Sequence, residues 1–267
     1  MKQLSMHGHK SSVFDEGNGP PLLFVHGFPL DHTMWRDQLA EFAGAYRVIA
    51  PDLRGFGSSE VGDQAVTMEQ FADDLAAILD ALGVTEPVTL IGLSMGGYVA
   101  WQFLRNYRER LRALVLCDTR AAADSPEVAE NRLKVAETVL ADGTEALARA
   151  MVPKLFAQQT IRTRPAVVDA VRNVILQANP RGVAAAQRAM AARFDATGIL
   201  KAIDVPTLMI VGEDDVISPP DEMRQIAEAI PGSRLVVIPD AGHMSPLENP
   251  AAFNSALSEF LTTVERR

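Results

Sequence analysis

Five residues near the middle of the chain, GLSMG at positions 92–96, restrict its possible folds more than any other segment. They end the apolar run Val88–Leu93 and begin the segment Met95–Asn106, whose pattern is helical. A serine on a sharp turn between a strand and a helix takes a strained backbone conformation that exposes its hydroxyl above the sheet. Glycines two residues to either side remove side chains that would collide with the neighbouring strand and helix. The segment therefore predicts a nucleophilic Ser94 in an α/β fold, and the competing interpretation is a serine that only caps a helix.

Short apolar runs alternate with amphipathic patterns along most of the chain. The runs are continuous, which is typical of strands covered on both faces and hence of a mainly parallel sheet. One amphipathic segment has Thr67 as a helix cap and Gly83 as its end. Such alternation predicts a doubly wound α/β sheet. We expect strands at 22–25, 47–50, 88–92, 113–117, 207–211 and 235–239, helices at 68–82, 95–106, 220–229 and 251–265, and an antiparallel hairpin in the first twenty residues, around Gly8.

Residues 121–200 interrupt this alternation. They contain no strand-like run and carry Ala, Arg, Glu and Val at helical spacing, punctuated by Pro126, Pro153, Pro165 and Pro180. We expect four or five helices inserted as a lid over the carboxyl ends of the strands, where open α/β sheets bind ligands. The alternative is a packing layer without a role in binding. The predicted domains are an α/β core of residues 1–120 and 201–267 and a helical lid of residues 121–200.

Composition and charge exclude several classes of protein. No apolar segment approaches the ~20 residues that cross a bilayer, and the N-terminal residues lack the apolar centre of a signal peptide, so we expect a cytoplasmic protein with no membrane partner. The net charge of −9 argues against nucleic acid as a partner. The single cysteine, Cys117, excludes an internal disulfide and a multi-cysteine metal site, and we expect neither a metal nor a cofactor.

Four further segments accompany the serine turn: HGFPLDHTMW at 26–35, PDLRGFGSS at 51–59, VGEDDVISPP at 211–220 and AGHMSPLENP at 241–250. Together with the turn they resemble lid-bearing α/β-hydrolases over nearly the whole chain, and in particular small esterases and 3-oxoadipate enol-lactonases. This resemblance implies an eight-stranded, mostly parallel sheet flanked by helices. It specifies the fold more narrowly than the substrate.

A serine nucleophile needs a base, and histidine is suited to this near neutral pH. His7 and His9 lie in the N-terminal segment, where we expect them to be exposed, and His26 and His32 lie in the loop after the first core strand. His243 follows the last predicted strand. Only this position matches the chain order serine, acid, histidine, so we assign His243 as the base.

The acid has two main candidates. Asp215 follows the strand at 207–211 and lies between Ser94 and His243 in the required order. The resemblance implies the same position. Its neighbours Glu213 and Asp214 carry the same charge and are rivals for this role. Asp118 is another rival, because it stands at the end of another strand, and this position resembles that of the acid in some relatives. We favour Asp215 and expect Asp118 to shape the pocket or to bond to a loop.

Two preorganised N–H groups are needed to hold the oxyanion. One belongs to Met95, directly after the nucleophile. The resemblance implies that the other belongs to Phe28, in a loop where Gly27 lets the backbone approach closely. The candidate pocket walls are Trp35, Tyr98, Arg120, Phe156 and Met190.

These residues predict a serine hydrolase that cleaves small carboxylic esters through an acyl-enzyme. Three alternatives stay open. The first is lactone hydrolysis, as in the enol-lactonases, with Arg54 or Arg120 holding a substrate carboxylate. The second is perhydrolase activity on the same three residues, and the third is a ligand receptor that keeps the hydrolase fold but turns over little. The expected partner is a small ester or lactone, and a homo-oligomer is a further possibility.

Overall fold

The computed structural model describes residues 1–6, 8–62 and 66–266, so the expectation for His7 lies outside the described residues. Within these ranges eight strands form one sheet: β1 (Lys2–Met6), β2 (His9–Glu16), β3 (Pro21–Val25), β4 (Arg47–Pro51), β5 (Val88–Leu93), β6 (Leu111–Cys117), β7 (Thr207–Gly212) and β8 (Arg234–Ile238). Their order across the sheet is β1-β2-β4-β3-β5-β6-β7-β8. β2 runs antiparallel to β1 and β4, and all other neighbours are parallel. The predicted mostly parallel, eight-stranded sheet is confirmed.

The central strands carry the continuous apolar runs because helices cover both of their faces. Every residue of β3, β5 and β7 is buried. The edge strands β1 and β8 are more exposed. At the β1 edge, Lys2 forms an ion pair with Asp15 at 2.6 Å, and a charged edge of this kind discourages pairing with another chain. The rigid central strands supply the platform on which the candidate site is built.

Eleven α-helices within the described residues join or flank these strands. Thr67 caps the second of them by accepting the Gln70 N–H at 3.0 Å, and Gly83 follows its end with φ +66°, as the sequence predicts. The helices are α1 (Arg36–Phe42), α2 (Met68–Ala81), α3 (Met95–Asn106), α4 (Pro126–Asp142), α5 (Glu145–Leu155), α6 (Gln158–Thr163), α7 (Pro165–Gln177), α8 (Pro180–Ala191), α9 (Pro220–Ala229), α10 (Ser245–Glu248) and α11 (Pro250–Glu265).

The expectation that His9 is exposed is wrong. Its side chain is buried, and Nε2 lies 2.8 Å from Ser11 Oγ and 3.9 Å from Asp74 of α2. The start of β2 therefore faces α2. β2 lies between β1 and β4 and is not an edge strand.

Helices α4 to α8 lie between β6 and β7 in the chain, within the range predicted for the lid. The first residues of α4, α7 and α8 are Pro126, Pro165 and Pro180, a position where the missing N–H costs no hydrogen bond. The start of α8 touches the core closely, since a Cβ on Gly182 would lie 2.0 Å from Gly55 O. No helix in the described ranges is long and apolar enough to span a membrane.

Candidate active site

The turn between β5 and α3 has the strained geometry that a glycine-flanked serine predicts. Ser94 has φ +54° and ψ −113°, a conformation that costs a non-glycine residue about 1–3 kcal/mol. Its N–H donates to Cys117 O at 2.9 Å, which ties the turn to β6. A Cβ on Gly92 would lie 2.5 Å from Gly96 O, and one on Gly96 would lie 2.3 Å from Val25 O. Side chains are therefore excluded at both positions, while Ser94 itself is half-buried.

The carboxyl ends of β5, β6 and β7 lie side by side. Leu93 pairs with Cys117 and Cys117 pairs with Ile210, so the three strands end in nearly the same register. Ser94 and Asp118 come directly after the first two of these strands. Their side chains and the segment after β7 therefore share one end of the sheet, where open α/β sheets bind ligands.

A buried carboxylate and a buried imidazole meet at this sheet end. His243 Nδ1 lies 2.8 Å from Asp215 Oδ2, and Asp215 Oδ1 accepts the N–H groups of Ile217 at 2.7 Å and Ser218 at 3.0 Å. Burial disfavours the charged carboxylate, but the charge and hydrogen bond of His243 and the two backbone N–H groups outweigh it and hold the pKa of Asp215 below its ordinary value. An ionised Asp215 can orient the imidazole and stabilise an imidazolium.

The loop that carries His243 is pressed against β7. A Cβ on Gly212 would lie 2.0 Å from Gly242 O, so the residue before His243 contacts the end of the strand. In the described part of the chain no hydrogen bond joins Ser94 Oγ to the His243 ring. Catalytic hydrogen bonds of this type are often long until substrate binds.

Asp118 takes no part in the contact with His243. Its carboxyl group accepts the Gly212 N–H at 2.8 Å and the Ser245 hydroxyl at 2.5 Å, and its backbone carbonyl accepts the Ser218 hydroxyl at 3.1 Å. Burial first, and the nearby charge of Asp215 second, raise the pKa of Asp118 well above its ordinary value. The residue therefore joins β6 to β7 and to the His243 loop, which agrees with a loop-bonding role.

Two backbone N–H groups beside Ser94 have no acceptor among the described residues. They belong to Met95, the first residue of α3, and to Phe28, in the loop after β3. A Cβ on Gly27 would lie 3.5 Å from Ser94 Cβ, so this loop passes directly by the serine. Buried N–H groups are rarely left without a partner, and an unsatisfied pair beside a strained serine suits a developing negative charge.

His26 holds the loop that carries Phe28. The Leu53 N–H donates to His26 Nε2 at 2.9 Å, which makes Nε2 the unprotonated nitrogen, and Nδ1–H donates to Gly27 O at 2.9 Å. Burial lowers the pKa of His26, so the ring stays neutral near neutral pH. Both ring nitrogens are used, and His26 therefore acts as a brace between two loops.

The prediction that Trp35 lines the substrate pocket is wrong. Its side chain is completely buried, and its ring packs between Phe24 of β3, at 5.3 Å between ring centroids, and Phe253 of α11, at 6.0 Å. The tryptophan is a core residue between the sheet and the C-terminal helix. The sequence predicts that it is apolar and buried but does not show against which element it packs.

Three other predicted pocket residues lie in or beside the lid helices. The Arg193 guanidinium covers the ring of Tyr98 at 4.2 Å, and the sulfur of Met190 lies 3.5 Å from Arg132 Nη1. The backbone of Phe156 contacts the His243 loop, since a Cβ on Gly242 would lie 2.9 Å from Phe156 C. All three side chains are buried, and their role as pocket walls stays a prediction.

The two arginines that could hold a substrate carboxylate are bonded within the protein. Arg54 is buried and forms a bidentate pair with Asp74 at 2.9 and 2.7 Å, so it is unavailable to a substrate. Arg120 donates to Ile217 O at 3.1 and 2.7 Å and lies 3.3 Å from Glu222. Arg120 thus braces the loop that follows Asp215, and the arginine argument for lactone hydrolysis loses its support.

A further residue of the site, Glu248, was missed by the sequence reasoning. Its buried carboxylate accepts the N–H groups of Gly242 at 2.8 Å and Met244 at 3.2 Å, on either side of His243, and that of Ala157 at 2.8 Å. The only signal in the sequence is an acidic residue within the apolar segment five positions after His243.

Two groups of described residues place possible metal ligands within 4.8 Å of one another: Asp31, His32 and Asp52, and Asp118, Asp215 and His243. In the first group His32 Nδ1 lies 2.6 Å from Asp52 Oδ1, and Asp52 Oδ2 accepts the Ser58 N–H at 2.9 Å. The second group is bonded as described above. Each set is accounted for by its own hydrogen bonds, and we assign a metal to neither.

Comparison with known proteins places this architecture in a family. A family model of the α/β hydrolase fold matches residues 20–250. A thermophilic esterase from Thermogutta terrifontis, solved with malate bound, aligns with a TM-score of 0.96 and 49% identity over 99% of each chain. The enol-lactonase from Burkholderia xenovorans LB400 aligns with a TM-score of 0.89 and 30% identity over 98% of this chain and 100% of the other. The 3-oxoadipate enol-lactonase 2 of Acinetobacter baylyi is 28% identical over 246 residues, which are 92% of this chain and 90% of that protein.

The fold, the strained serine turn and these matches define the class: the chain belongs to the α/β-hydrolase fold family. Within that family it resembles esterases and enol-lactonases. The chain is therefore an enzyme of the hydrolase class, and its relatives are consistent with a carboxylic ester hydrolase.

Proposed function

We propose that this enzyme hydrolyses small carboxylic esters, with Ser94 as the nucleophile, His243 as the base and Asp215 as the acid that orients the base. The observation that carries the proposal is the 2.8 Å contact between His243 Nδ1 and Asp215 Oδ2 at the sheet end that also bears Ser94. The 49% identity to an esterase supports an ester as the substrate.

The reaction proceeds in two balanced steps. In the first, Ser94 Oγ attacks the ester carbonyl while its proton passes to His243 Nε2, and His243 then gives that proton to the departing alcohol. In the second, His243 takes a proton from water, the hydroxide attacks the acyl-enzyme, and Ser94 recovers its proton as the acid leaves. The low pKa of Asp215 keeps it ionised, so it can offset the imidazolium charge in both steps.

The negative oxygen of each tetrahedral intermediate is assigned to the N–H groups of Met95 and Phe28. Met95 starts α3, where the helix dipole also favours negative charge. Preorganised donors of this kind are worth roughly 10²–10³-fold in kcat each.

Lactone hydrolysis is the second candidate, because a lactone is a cyclic ester and the same steps would open its ring. The likeness to two enol-lactonases, at 30% and 28% identity, favours it. Arg54 and Arg120 give it no support, since both are bonded within the protein. Perhydrolase activity would use the same three residues.

The proposal is tested by steady-state hydrolysis of p-nitrophenyl acetate and butyrate, followed by a panel of lactones. We expect turnover of the esters by the wild-type enzyme, turnover near background for Ser94→Ala, and unchanged turnover for Ser255→Ala, an exposed serine of α11. Wild-type ester turnover equal to that of Ser94→Ala would contradict the proposal, and the same result with the lactones would leave the ligand-receptor alternative. Faster turnover of lactones than of esters would favour the second candidate.

A further inference from the structure

The carboxylate of Glu248 lies where the His243 loop, α10 and the lid helices meet. Its Oε1 accepts the N–H groups of Gly242 at 2.8 Å and Met244 at 3.2 Å. These are the two residues that flank His243 in the chain. One oxygen atom therefore fixes the backbone on both sides of the base.

The other oxygen of the same carboxylate bonds to the lid. Glu248 Oε2 accepts the Ala157 N–H at 2.8 Å, and the hydroxyl of Thr160, a buried residue of α6, is close enough to the carboxylate to lower its pKa. The Met244 N–H additionally donates to Leu155 O at 3.0 Å, at the end of α5. The segment between α5 and α6 thus shares its hydrogen bonds with the loop of the base.

The surroundings of this carboxylate are unfavourable to its charge. Burial raises the pKa of Glu248, and no cation contacts its carboxylate oxygens in the described part of the chain. The guanidinium of Arg164 donates to the backbone carbonyls of Leu247 at 2.9 Å and Glu248 at 2.6 Å instead. A buried carboxylate without a cation costs free energy that an apolar or amide side chain would avoid. Packing alone therefore does not account for a glutamate here.

We propose that Glu248 is a positioning residue for catalysis, which holds His243 in its productive orientation and couples that orientation to the lid through Ala157 and Thr160. This inference rests on the proposed function, because Glu248 acts through the base and touches no reacting atom. A misplaced catalytic group can lose about 10²-fold in rate even when the change lies outside the reacting atoms.

The test is the reactivity of Ser94 in matched variants. Glu248→Gln keeps the shape but replaces one acceptor oxygen with an NH₂ donor, so either the N–H groups beside His243 or the Ala157 N–H lose their acceptor. Thr160→Val removes only the hydroxyl on the lid side. Glu228→Gln is the control, because it neutralises an exposed carboxylate of α9, outside the proposed site. Each enzyme is labelled with a fluorophosphonate, which reports an activated serine whatever the natural substrate, and kcat for p-nitrophenyl acetate is divided by the concentration of labelled sites.

We expect Glu248→Gln to lower both the labelling rate constant and kcat per labelled site by about 10–100-fold, with a smaller change in KM. Thr160→Val should lower both by about threefold, as for the loss of one weak polar contact, and Glu228→Gln should match the wild type. A purely structural role would reduce the number of labelled sites and the melting temperature but not kcat per site.

Labelling rate and kcat per site of Glu248→Gln within twofold of wild type would overturn the inference. If that variant does not fold, the Thr160→Val enzyme decides, and wild-type values for it overturn the inference as well. A lower labelling rate constant in Glu248→Gln with an unchanged number of labelled sites, together with absent ester turnover in the wild type, would uphold the positioning role and reject only the ester substrate. A wild-type Ser94 that does not react with the fluorophosphonate would reject both.

Discussion

The carboxyl ends of β6 and β7 each carry a buried aspartate, and the pKa values of the two carboxyl groups are shifted in opposite directions. After β7, Asp215 contacts His243 and accepts two backbone N–H groups, and its pKa lies below the ordinary value. After β6, Asp118 accepts one backbone N–H and the hydroxyl of Ser245, and its pKa lies well above the ordinary value.

The hydrogen-bond partner, and not burial, distinguishes these two carboxyl groups. Both side chains are almost inaccessible to solvent. Only Asp215 hydrogen-bonds to a group that can become positive, and its own charge then makes a second charge at Asp118 more costly. Neighbouring carboxylates whose environments push their pKa values apart take different roles at an active site. In the proposed mechanism the orienting charge therefore belongs to Asp215, and Asp118 keeps its bonds to β7 and to the His243 loop.

The largest effect that this comparison predicts is on kcat. Asp215→Asn should lower kcat by about 10⁴-fold, because an amide can leave His243 in the wrong tautomer and does not offset the imidazolium charge. Asp118→Asn should change kcat by less than about tenfold, because asparagine can accept the Gly212 N–H and donate to the Ser245 hydroxyl. Steady-state hydrolysis of p-nitrophenyl acetate measures both.

The reverse pattern is an inactive Asp118→Asn variant and an Asp215→Asn variant with kcat close to that of the wild type. It would show that the acid is the aspartate after β6 and not the one after β7. Folding of both variants is checked by their circular dichroism spectra, so that a loss of kcat is not confused with unfolding.

The second effect is on the pH dependence of stability. The pKa of Asp118 is raised in the folded state, so its contribution to stability is fully present below the ordinary carboxyl pKa and is lost as pH rises through the folded value. The pKa of Asp215 is lowered, so its contribution is present above the ordinary value and is lost as pH falls through the folded value. The free energy of unfolding of Asp118→Asn should therefore improve relative to wild type as pH rises from about 4, by up to about 1.4 kcal/mol per pH unit.

Urea denaturation of the wild type and both asparagine variants, from below the ordinary carboxyl pKa up to neutral pH, measures the slopes. The difference between Asp215→Asn and wild type should have the opposite sign, with the variant least impaired at low pH. Parallel stability curves for wild type and Asp118→Asn would mean that Asp118 titrates alike in the folded and unfolded chain.

The elements that carry the site could be predicted because local signals set them. The turn at Ser94 follows from glycines that leave no room for a Cβ, and α2 begins at the Thr67 cap and ends before Gly83. The order of residues along the chain was enough to pair Asp215 with His243 as candidates. These features depend on neighbours in sequence or on the edge at which parallel strands end.

The features that could not be predicted depend on which elements pack together. Trp35 is a large aromatic residue of the kind that often lines a pocket, but α11 covers it. His9 lies in a terminal hairpin, where exposure is expected, but α2 covers it. Arg54 is matched by a carboxylate twenty positions away on α2. Glu248 is bonded to a lid residue 91 positions away. Hydrogen bonds between distant segments leave no periodicity in the sequence, so such residues emerge only from the folded chain.

The smallest predicted effect distinguishes a hydrogen bond to the carboxyl group of Asp118 from a hydrogen bond to its backbone carbonyl. Ser245 donates its hydroxyl to the carboxyl group, and Ser218 donates its hydroxyl to the backbone carbonyl of the same residue. Ser245→Ala and Ser218→Ala should each lower the free energy of unfolding by about 1 kcal/mol at pH 4, the usual net value of one buried hydrogen bond. The Ser245 hydroxyl also lowers the pKa of Asp118, so its removal raises that pKa further. Stability should then fall over a wider pH range in Ser245→Ala than in Ser218→Ala, and identical pH profiles of the two variants would show that the carboxyl group of Asp118 does not sense Ser245.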